Sequence, residues 1–472
     1  MLLRYIAIIA LALPLFSGTV PITPTTPNWQ DLIKNSPEGT TFVFAPGLYR
    51  LDAPIVARKG ESFISTGGAV LNGAEKLQLT PEGSYWTAYV QLPATSPGKC
   101  DPTHPNCNLL FDLFIDGAYQ HPVRAPCPNV GPGEWCLDQS VTPAKLYAGT
   151  NPKNYLVELG RTAAAIVGPA SQVLIDGLVI EKFASLPQHG AVGGYNQDAQ
   201  SWTVQNTEIR WNHGTGIELG SNSQVRSCNI HHNGQKGLGT RGDNGLIENN
   251  QISYNNYAGY DPGWEAGGTK FAATTGLIVR NNYLYGNHGS GLWTDIDNKN
   301  TLYEGNRCIN NQGEGIRHEI SYDAVIRNNF VQGNVGGIVI AVSANVQVYS
   351  NSVDVPPSGQ IGIGVDGGER KSTATVYTAH DISIHNNQIV FGGPHQWTGL
   401  NGPPQESPNV LFDYDVYQVV AGNPLHWLWG NGLISFENFQ ALGQELHGSI
   451  TTAPSTQRTP LARLSRSHRA PS

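Results

Sequence analysis

The sequence predicts an all-β fold built as a parallel solenoid, because one short strand pattern recurs along the chain. Eight six-residue segments begin and end with an apolar residue and carry Asn-rich turns between. Successive segments begin 21, 22, 32, 24, 23, 22 and 36 residues apart. A period near 22, with a strand and a turn in each unit, is typical of stacked β coils. The segments are VQNTEI (from Val204), VRSCNI (Val225), IENNQI (Ile247), VRNNYL (Val279), YEGNRC (Tyr303), IRNNFV (Ile326), VYSNSV (Val348) and IHNNQI (Ile384).

A second strand pattern follows each segment and supports the same fold class. It begins at a glycine, and the next residue is apolar or Thr, which places that side chain inward. The residue after it, and the one two positions further on, then point outward. Equivalent residues of successive coils lie about 4.8 Å apart, so the outward residues form two columns. The first is Glu218, Gly239, Lys270, Trp293, Arg317 and Val339, and the second is Gly220, Arg241, Ala272, Asp295, Glu319 and Ala341.

The turns between the paired strands are rich in asparagine. Stacked Asn side chains can hydrogen-bond from coil to coil, which assigns Asn249, Asn281, Asn328 and Asn386 a structural role. We expect this ladder to lie at those four positions.

Composition favours export. The chain has 472 residues and a net charge of −8, and its repeats carry no basic stripe, which argues against nucleic acid as a partner. Residues 1–18 have the positive start, apolar run and small residues of a secretory signal peptide. That run is too short to span a bilayer, and no later segment is apolar enough. We therefore expect a secreted, extracellular protein without a membrane span, and we expect a monomer.

Six cysteines suit an oxidising compartment. The pairs Cys100–Cys107 and Cys127–Cys136 are each close in sequence, so two local disulfides are expected, although other pairings stay open. Cys228 and Cys308 lie three coils apart, about 14 Å at the strand spacing. That separation is too large for a disulfide.

The repeat period breaks once, in a segment that holds the four loop cysteines and many prolines. Solenoid ends need covers, because bare strand edges pair with other chains. Trp29–Asn35 is expected to form one capping helix, and Ser435 to cap the start of another. The expected organisation is a signal peptide (1–18), an N-terminal cap with the first coils (29–84), an inserted β subdomain (85–157), the coil repeats (158–391), a linker with the C-terminal cap (392–450) and a disordered tail (451–472).

Charged residues concentrate in the two outward columns and define a candidate groove. They fall within about five coils, roughly 20 Å along the axis. One coil later the columns hold only Val339 and Ala341. A solvated face with weak surface ion pairs is the alternative, but charges beside an aromatic ring favour a sugar-binding groove. The residues are Glu218, Arg241, Lys270, Trp293, Asp295, Arg317 and Glu319.

One coil is 32 residues long rather than about 22, and its extra residues immediately precede Lys270. Loops carried on a rigid scaffold often form binding sites. A local packing bulge is the alternative, but we expect this loop to project over the groove and contact substrate. Its aromatic residues are Tyr257, Tyr260 and Trp264, and its carboxylates are Asp261 and Glu265.

Asp295 and Glu319 suggest hydrolytic chemistry. They share a column one coil apart, about 4.8 Å. Carboxylates that close perturb each other, and one shifts towards its protonated form. Glycosidases use such a pair, near 5 Å apart in retaining enzymes and wider in inverting ones. Asp297 or Glu265 could supply a wider pairing, and neighbouring arginines that merely neutralise the carboxylates are the alternative.

Lys270 and Arg317 suggest a lyase instead. Uronate cleavage needs a base for the C5 proton and positive charge on the sugar carboxylate. Lys270 could be the base, with Arg317 or a Ca²⁺ ion held by Asp295 or Glu265 supplying the charge. Hydrolysis requires no cofactor, so Ca²⁺ is a possible ligand rather than a necessary one.

The stretch from GTTFVFAPGLYRL to IHNNQI resembles the right-handed parallel β-helix superfamily, with its pectin-lyase-like fold. The phrases DPGWEAGGTKF, GLWTDIDN and GIRHEISYDAVIRNN are similar to those of secreted bacterial members, as is WGNGLISFENFQALGQELHG near the C-terminus. The resemblance implies a carbohydrate substrate. The NTD, DD, GHG and RIK set of pectin-cleaving hydrolases is missing from this sequence, as is the DPHE motif of alginate epimerases.

These observations predict a secreted enzyme that cleaves a polysaccharide, with the carboxylate pair as catalytic groups. The alternatives are a polysaccharide lyase acting on a uronic-acid glycan and a β-helix protein that binds glycan without turnover. Residues predicted to act in catalysis are Asp295, Glu319, Lys270 and Arg317, and those predicted to bind substrate are Trp293, Trp264, Glu218, Arg241, Tyr260, Glu265 and Asp261.

Overall fold

A computed structural model describes residues 18–92, 98–123, 126–195, 198–371, 375–420 and 425–453. The predicted signal peptide, apart from Gly18, and the predicted tail from residue 454 onward lie outside the described residues. No helix in the described part of the chain has the length and apolar character needed to cross a bilayer.

The chain forms a right-handed parallel β-helix in which two long parallel sheets enclose the core. The larger sheet has 24 strands and contains the eight recurring segments. Val204 pairs with Val225 and Val225 with Ile247, so the sequence repeats stack in register. Its strands are Thr19–Ile22, Thr41–Phe44, Gly47–Arg50, Ser62–Asn72, Leu174–Glu181, Thr203–Gln205, Glu208–Arg210, Gln224–Arg226, Asn229–His231, Leu246–Glu248, Gln251–Ser253, Ile278–Arg280, Tyr283–Tyr285, Thr301–Glu304, Arg307–Ile309, Tyr322–Arg327, Phe330–Gln332, Ala344–Tyr349, Ser352–Val355, His380–His385, Gln388–Phe391, Val410–Asp413, Val416–Val420 and Ser449–Ala453.

The second long sheet has 13 strands and carries the predicted outward columns. Its inward side chains, such as Ile217, Leu238 and Ile316, are fully buried in the core, as their position after the glycine predicts. Its strands are Ile55–Val56, Ile166–Val167, Gly190–Gly193, Thr215–Leu219, Lys236–Asp243, Gly267–Thr275, Leu292–Asp295, Glu314–Glu319, Gly336–Ala341, Ile361–Asp366, Trp397–Asn401, Trp427–Gly430 and Gly432–Ile434.

An eight-stranded, mainly antiparallel sheet forms the inserted subdomain and has its own apolar core. It begins before residue 85, because its first two strands precede that position. A separate hairpin pairs Glu369–Lys371 with Val376–Thr378. The strands of the inserted sheet are Ala74–Lys76, Thr80–Glu82, Tyr85–Val90, Leu113–Ile115, Ala118–Pro122, Glu134–Asp138, Ala144–Ala148 and Val157–Gly160.

Both predicted disulfides are present, Cys100–Cys107 and Cys127–Cys136, and both lie in this inserted region. Cys228 and Cys308 are free and buried, in agreement with their distance along the coil stack. Cys308 occupies a core position beneath Val331.

Among the described residues, the two α-helices lie at the two ends of the solenoid. Trp29–Asn35 is an α-helix, as expected, and it packs near the first coils. The second α-helix, Phe436–Ala441, begins where Ser435 accepts a hydrogen bond from the Asn438 amide. A short 3-10 helix spans Pro404–Glu406. Coil strands continue beyond residue 391 to Ser449–Ala453, so the C-terminal cap completes the stack.

The buried asparagine ladder lies one residue later than predicted. Asn249, Asn281, Asn328 and Asn386 are exposed and have φ between 56° and 57°, a left-handed turn that asparagine tolerates. The hydrogen-bonded column consists instead of the residues that follow them and their equivalents. Each side chain bonds the next coil, as when Asn282 Nδ2 donates to Asn306 Oδ1 at 3.0 Å. Its members are Asn250, Asn282, Asn306, Asn329, Asn351 and Asn387.

Candidate functional site

The outward face of the 13-stranded sheet has the register expected from the sequence. Glu218 pairs with Gly239, and Gly239 with Lys270. Phe271 pairs with Thr294, which places Lys270 beside Trp293. The next pairs are Trp293 with Arg317, and Asp295 with Glu319. The following strand pairs Val339 with Arg317 and Ala341 with Glu319, so the charged face ends there.

A cleft of about 280 Å³ opens over the C-terminal part of this face. The long coil contributes one wall, the turns before two successive strands contribute glycines and a serine, and the outward columns contribute the floor. Its lining residues are Pro262, Gly263, Gly289, Ser290, Trp293, Gly313, Glu314, Arg317 and Glu319.

Asp295 lies beside this cleft and is 6% exposed. Its Oδ2 is 2.8 Å from the Lys270 ammonium nitrogen. Its Oδ1 is buried without a hydrogen-bond partner among the described residues. Burial raises the pKa of Asp295 above its ordinary value, and the charge of Glu319 adds to this effect, while Lys270 opposes it. Burial therefore favours the protonated form of Asp295 more than it would be favoured in an exposed aspartate.

Glu319 has the opposite environment. Its Oε2 accepts from Arg317 Nε at 2.9 Å and from the Trp293 indole at 2.9 Å. Its Oε1 accepts from Arg370, which reaches in from the hairpin. Burial alone would raise the pKa of Glu319, but Arg317 and Arg370 hold it below its ordinary value. Glu319 is therefore the ionised member of the pair.

Lys270 and Trp293 pack together beneath the carboxylates. The Lys270 ammonium lies 4.0 Å from the Trp293 ring centroid, within cation–π distance. It also donates to the carbonyl of Trp264 at 3.0 Å. Trp293 is only 5% exposed. It thus offers the cleft an edge rather than the open flat face that a sugar platform needs.

The long coil does pack over the groove, but its three aromatic residues differ in exposure. Tyr260 is fully buried in a small cluster with Cys107 and Ala266. The prediction that Tyr260 presents a face to substrate is therefore wrong, because the disulfide-bonded loop of the inserted subdomain covers it. Trp264 is partly buried against the same cluster. Tyr257 donates to the buried Asp112 at 2.8 Å, so it also serves this interface.

The disulfide-bonded loop holds the cleft wall in place. The Asp261 carboxylate forms an ion pair with the Lys99 ammonium at 2.9 Å, and the Asp261 backbone amide donates a hydrogen bond to the Lys99 carbonyl at 2.8 Å. The amide of Asp101 donates to the Gly259 carbonyl at 3.0 Å. Asp261 thus anchors the loop rather than lining the cleft.

Glu218, Glu265 and Arg241 form a second charged cluster around Lys236. The Lys236 ammonium is 3.1 Å from Glu218 and 3.5 Å from Glu265, while Arg241 is 4.0 Å from Glu265. Burial raises the pKa of Glu218 to about 7, and Lys236 opposes the rise. Burial also acts on Glu265, but Lys236 and Lys270 hold its pKa below the ordinary value. This cluster joins the long coil to the sheet.

Sequence reasoning missed several residues of the site. Lys236 comes immediately before Gly237, the glycine that begins the second strand pattern, so it lies outside the two outward columns. It is 2% exposed. Glu314 starts its strand and accepts from Arg317 at 3.0 Å and from Ser290 at 2.7 Å. Arg370 lies outside the repeats. Its place in an insertion between two coil strands is the signal that could have indicated it.

The described side chains around the cleft do not form an evident metal-binding cluster. Among the residues that the structure describes, no three or more His, Cys, Asp or Glu side chains form a group that could hold an ion. The predicted Ca²⁺ ligands Asp295 and Glu265 are each engaged with lysines instead.

Comparison with known proteins agrees with the fold. Residues 191–353 match the family model described as right handed beta helix region. XylC, solved in complex with xylose, is 14% identical with a TM-score of 0.59, over 92% of this chain and 83% of that one. A mannuronic acid specific polysaccharide family 6 lyase from human gut microbiota is 12% identical with a TM-score of 0.53, over 95% and 89%. A search of curated proteins gave no match.

Proposed function

We propose that this protein is a glycoside hydrolase that uses Asp295 and Glu319 as its catalytic pair. One observation carries the proposal. Two carboxylates stand in register on adjacent strands beside an open cleft, and their surroundings shift their pKa values in opposite directions. Environments that separate a carboxylate pair in this way are those that assign acid and base roles. The carbohydrate that XylC holds on the same fold is consistent with the proposal.

The strand spacing of about 4.8 Å favours a retaining mechanism, for which the carboxyl separation is about 5–5.5 Å. One carboxylic acid donates its proton to the glycosidic oxygen as the bond to the anomeric carbon breaks. The other carboxylate attacks that carbon, and water then releases the sugar and restores both groups. The opposite directions of the two pKa shifts favour Asp295 as the proton donor and Glu319 as the anionic partner.

The lyase alternative rests on Lys270 and Arg317, which lie in one column, and on the fold shared with the mannuronate lyase. The contacts of Lys270 weigh against it. A base must present a free lone pair, whereas the nitrogen of Lys270 donates to the Trp264 carbonyl and pairs with Asp295.

We also propose that the protein acts outside the cell. Two disulfides in the inserted subdomain suit an oxidising compartment. The apolar N-terminal segment of the sequence supports the same location.

The test is turnover of a broad polysaccharide and aryl glycoside panel, with and without Ca²⁺, by the wild type and by Asp295→Asn and Glu319→Gln variants. New reducing ends without unsaturated-uronate absorbance are expected. Each variant should lose about 10²–10⁴-fold in kcat, the usual size of an acid–base contribution. Asp297→Asn is the matched control, because Asp297 lies two residues away in a turn with φ 55° that asparagine also adopts.

The outcomes separate the alternatives. Ultraviolet absorbance from unsaturated products would identify a lyase and refute hydrolysis. Binding without turnover of any panel member would leave a glycan-binding protein. Loss of activity in Asp297→Asn, with Glu319→Gln unaffected, would move the chemistry to a wider pair. Azide rescue of one variant identifies the nucleophile, and rescue of Asp295→Asn would exchange the two assigned roles.

A further inference from the structure

We infer that the cleft binds a neutral glycosyl unit and excludes a uronate. This inference rests on the proposed function, because it concerns the substrate class of the same site. It departs from the uronic-acid substrates that the lyase alternative requires.

Arg317 is the sole cation among the nine residues that line the cleft, and each of its three guanidinium nitrogens already donates to a carboxylate. Its Nε and one terminal nitrogen donate to Glu319 at 2.9 and 3.3 Å. The other terminal nitrogen donates to Glu314 at 3.0 Å. Bidentate pairing is the geometry in which arginine recognises a carboxylate. That geometry is used within the protein and is not presented to a ligand.

The cations around the cleft are paired as well. Lys270 is bound to Asp295, and Lys236 lies between Glu218 and Glu265. Arg370 contacts Glu319 from the hairpin. Recruiting Lys270 or Lys236 to a ligand would leave buried Asp295 or Glu218 without its cationic partner, which is strongly unfavourable, whereas Glu319 would keep Arg317 if Arg370 moved.

Of the cations around the cleft, Arg241 has the longest ion-pair distance, 4.0 Å to Glu265, and its side chain is 31% exposed. It lies outside the lining of the cleft. The internal segments that the structure does not describe contain one charged residue in the sequence, which is Arg124.

The polar atoms that remain for a ligand are mainly acceptors. Glu314 and Glu319 line the cleft, and in the described residues each oxygen of Glu314 accepts one hydrogen bond, which leaves it able to accept another. Carboxylate oxygens accept hydrogen bonds and cannot donate when ionised. Sugar hydroxyls donate, so they match these groups. A sugar carboxylate would instead meet a lining in which two carboxylates outnumber one arginine, and that net negative charge disfavours it.

The shape of the cleft also suits a sugar ring. Four of its lining residues, Pro262, Gly263, Gly289 and Gly313, have small or compact side chains. They keep the cleft open beside Glu314 and Glu319.

The test compares ligands that differ only in the carboxylate. Wild-type protein is assayed for binding by affinity electrophoresis, and for turnover, against native polygalacturonate and alginate and against the same polymers after carboxyl reduction. Aryl glucosides and galactosides of both anomers are compared with the matching aryl uronides. Neutral members are expected to bind at least tenfold more tightly than their acidic counterparts. Glu314→Gln, which removes one carboxylate and frees part of Arg317, should narrow that ratio several-fold.

Each outcome is decisive. Equal or stronger binding of the native uronans overturns the inference, and so does failure of all neutral members to bind. Turnover of uronides as glycosidase substrates overturns it while leaving hydrolysis intact. Binding of neutral members without turnover supports it while refuting the proposed hydrolase. A ratio that does not change in Glu314→Gln contradicts the role given to the lining carboxylates.

Discussion

The asparagine ladder and the outward face of the 13-stranded sheet are both columns of stacked residues, yet they are built differently. In the ladder every coil repeats the same contacts: Asn282 bonds to the Ile247 carbonyl at 2.9 Å and to Asn306 at 3.0 Å, and its neighbours do likewise. On the outward face, successive coils place Lys270, Trp293 and Arg317 in one column. A residue that every coil repeats serves stacking, whereas a charged residue found once serves something local.

The two columns also differ in electrostatics. The ladder is made of neutral amides whose donors and acceptors are satisfied by the preceding and following coils. The outward face buries carboxylates and cations, which carry a desolvation cost that pairing only partly offsets. Mutations should therefore separate a column that stabilises the coil stack from one that performs chemistry.

The largest expected effect comes from breaking the ladder with Asn282→Ala. This change removes the acceptor for the Asn250 amide at 3.0 Å and the donor to the Ile247 carbonyl. Several buried groups lose partners at about 1–3 kcal/mol each, so we expect the free energy of unfolding to fall by about 3–5 kcal/mol. Urea unfolding followed by circular dichroism measures it.

Asn281→Gly is the matched control for the ladder. Asn281 is the adjacent turn residue with φ 56°, which glycine adopts readily. Its substitution should change stability by less than about 1 kcal/mol. Equal losses in the two variants would show that the ladder contributes no more than the turn.

The pH dependence of stability should also distinguish the two columns. The pKa of Glu218 is about 7 in the folded protein because of burial, above its model-peptide value of 4.5. The folded state therefore binds this proton more tightly than the unfolded state. The resulting stability is present below pH 4.5 and is lost as pH rises towards 7, by about 2–3 kcal/mol. Glu218→Gln should remove this loss.

Denaturation of Glu218→Gln and wild type at pH 5 and pH 8 tests this sign. The difference between them should favour the variant more at pH 8. Glu75→Gln, at an exposed glutamate, should leave the pH dependence unchanged. The deficit of Asn282→Ala should be the same at both pH values, because no ladder amide titrates. If the free energies of unfolding of wild type and Glu218→Gln ran parallel against pH, the raised pKa of Glu218 would be contradicted.

The sequence was sufficient for the parallel coils and for the register of Asp295 with Glu319, because strand alternation and glycine starts repeat in every coil. It misplaced the ladder by one residue, because two adjacent asparagines compete for the inward position and only φ decides between them. It could not foresee the burial of Tyr260 or the reach of Arg370. Both depend on segments outside the repeat, whose packing no periodicity encodes.

The smallest expected effect, and the sharpest test of the outward face, is Arg370→Gln. Arg370 is 51% exposed in its side chain, and its ion pair among the described residues is with Glu319. Its removal should change stability by less than about 1 kcal/mol. It should raise the pKa of Glu319, since Arg370 is one of the two cations that lower it.

If Glu319 must be ionised for turnover, the acidic limb of kcat/KM against pH moves to higher pH in Arg370→Gln, because that profile reports the free enzyme. Lys371→Gln is the control on the same strand, where Lys371 pairs with Glu369 at 3.0 Å and is 72% exposed. An acidic limb that stays in place, or moves to lower pH, would mean that the ionised form of Glu319 is not the active one. Arg370 would then serve the scaffold, although it lies outside the repeats. The rule that unrepeated charged residues serve a local function would fail at this position.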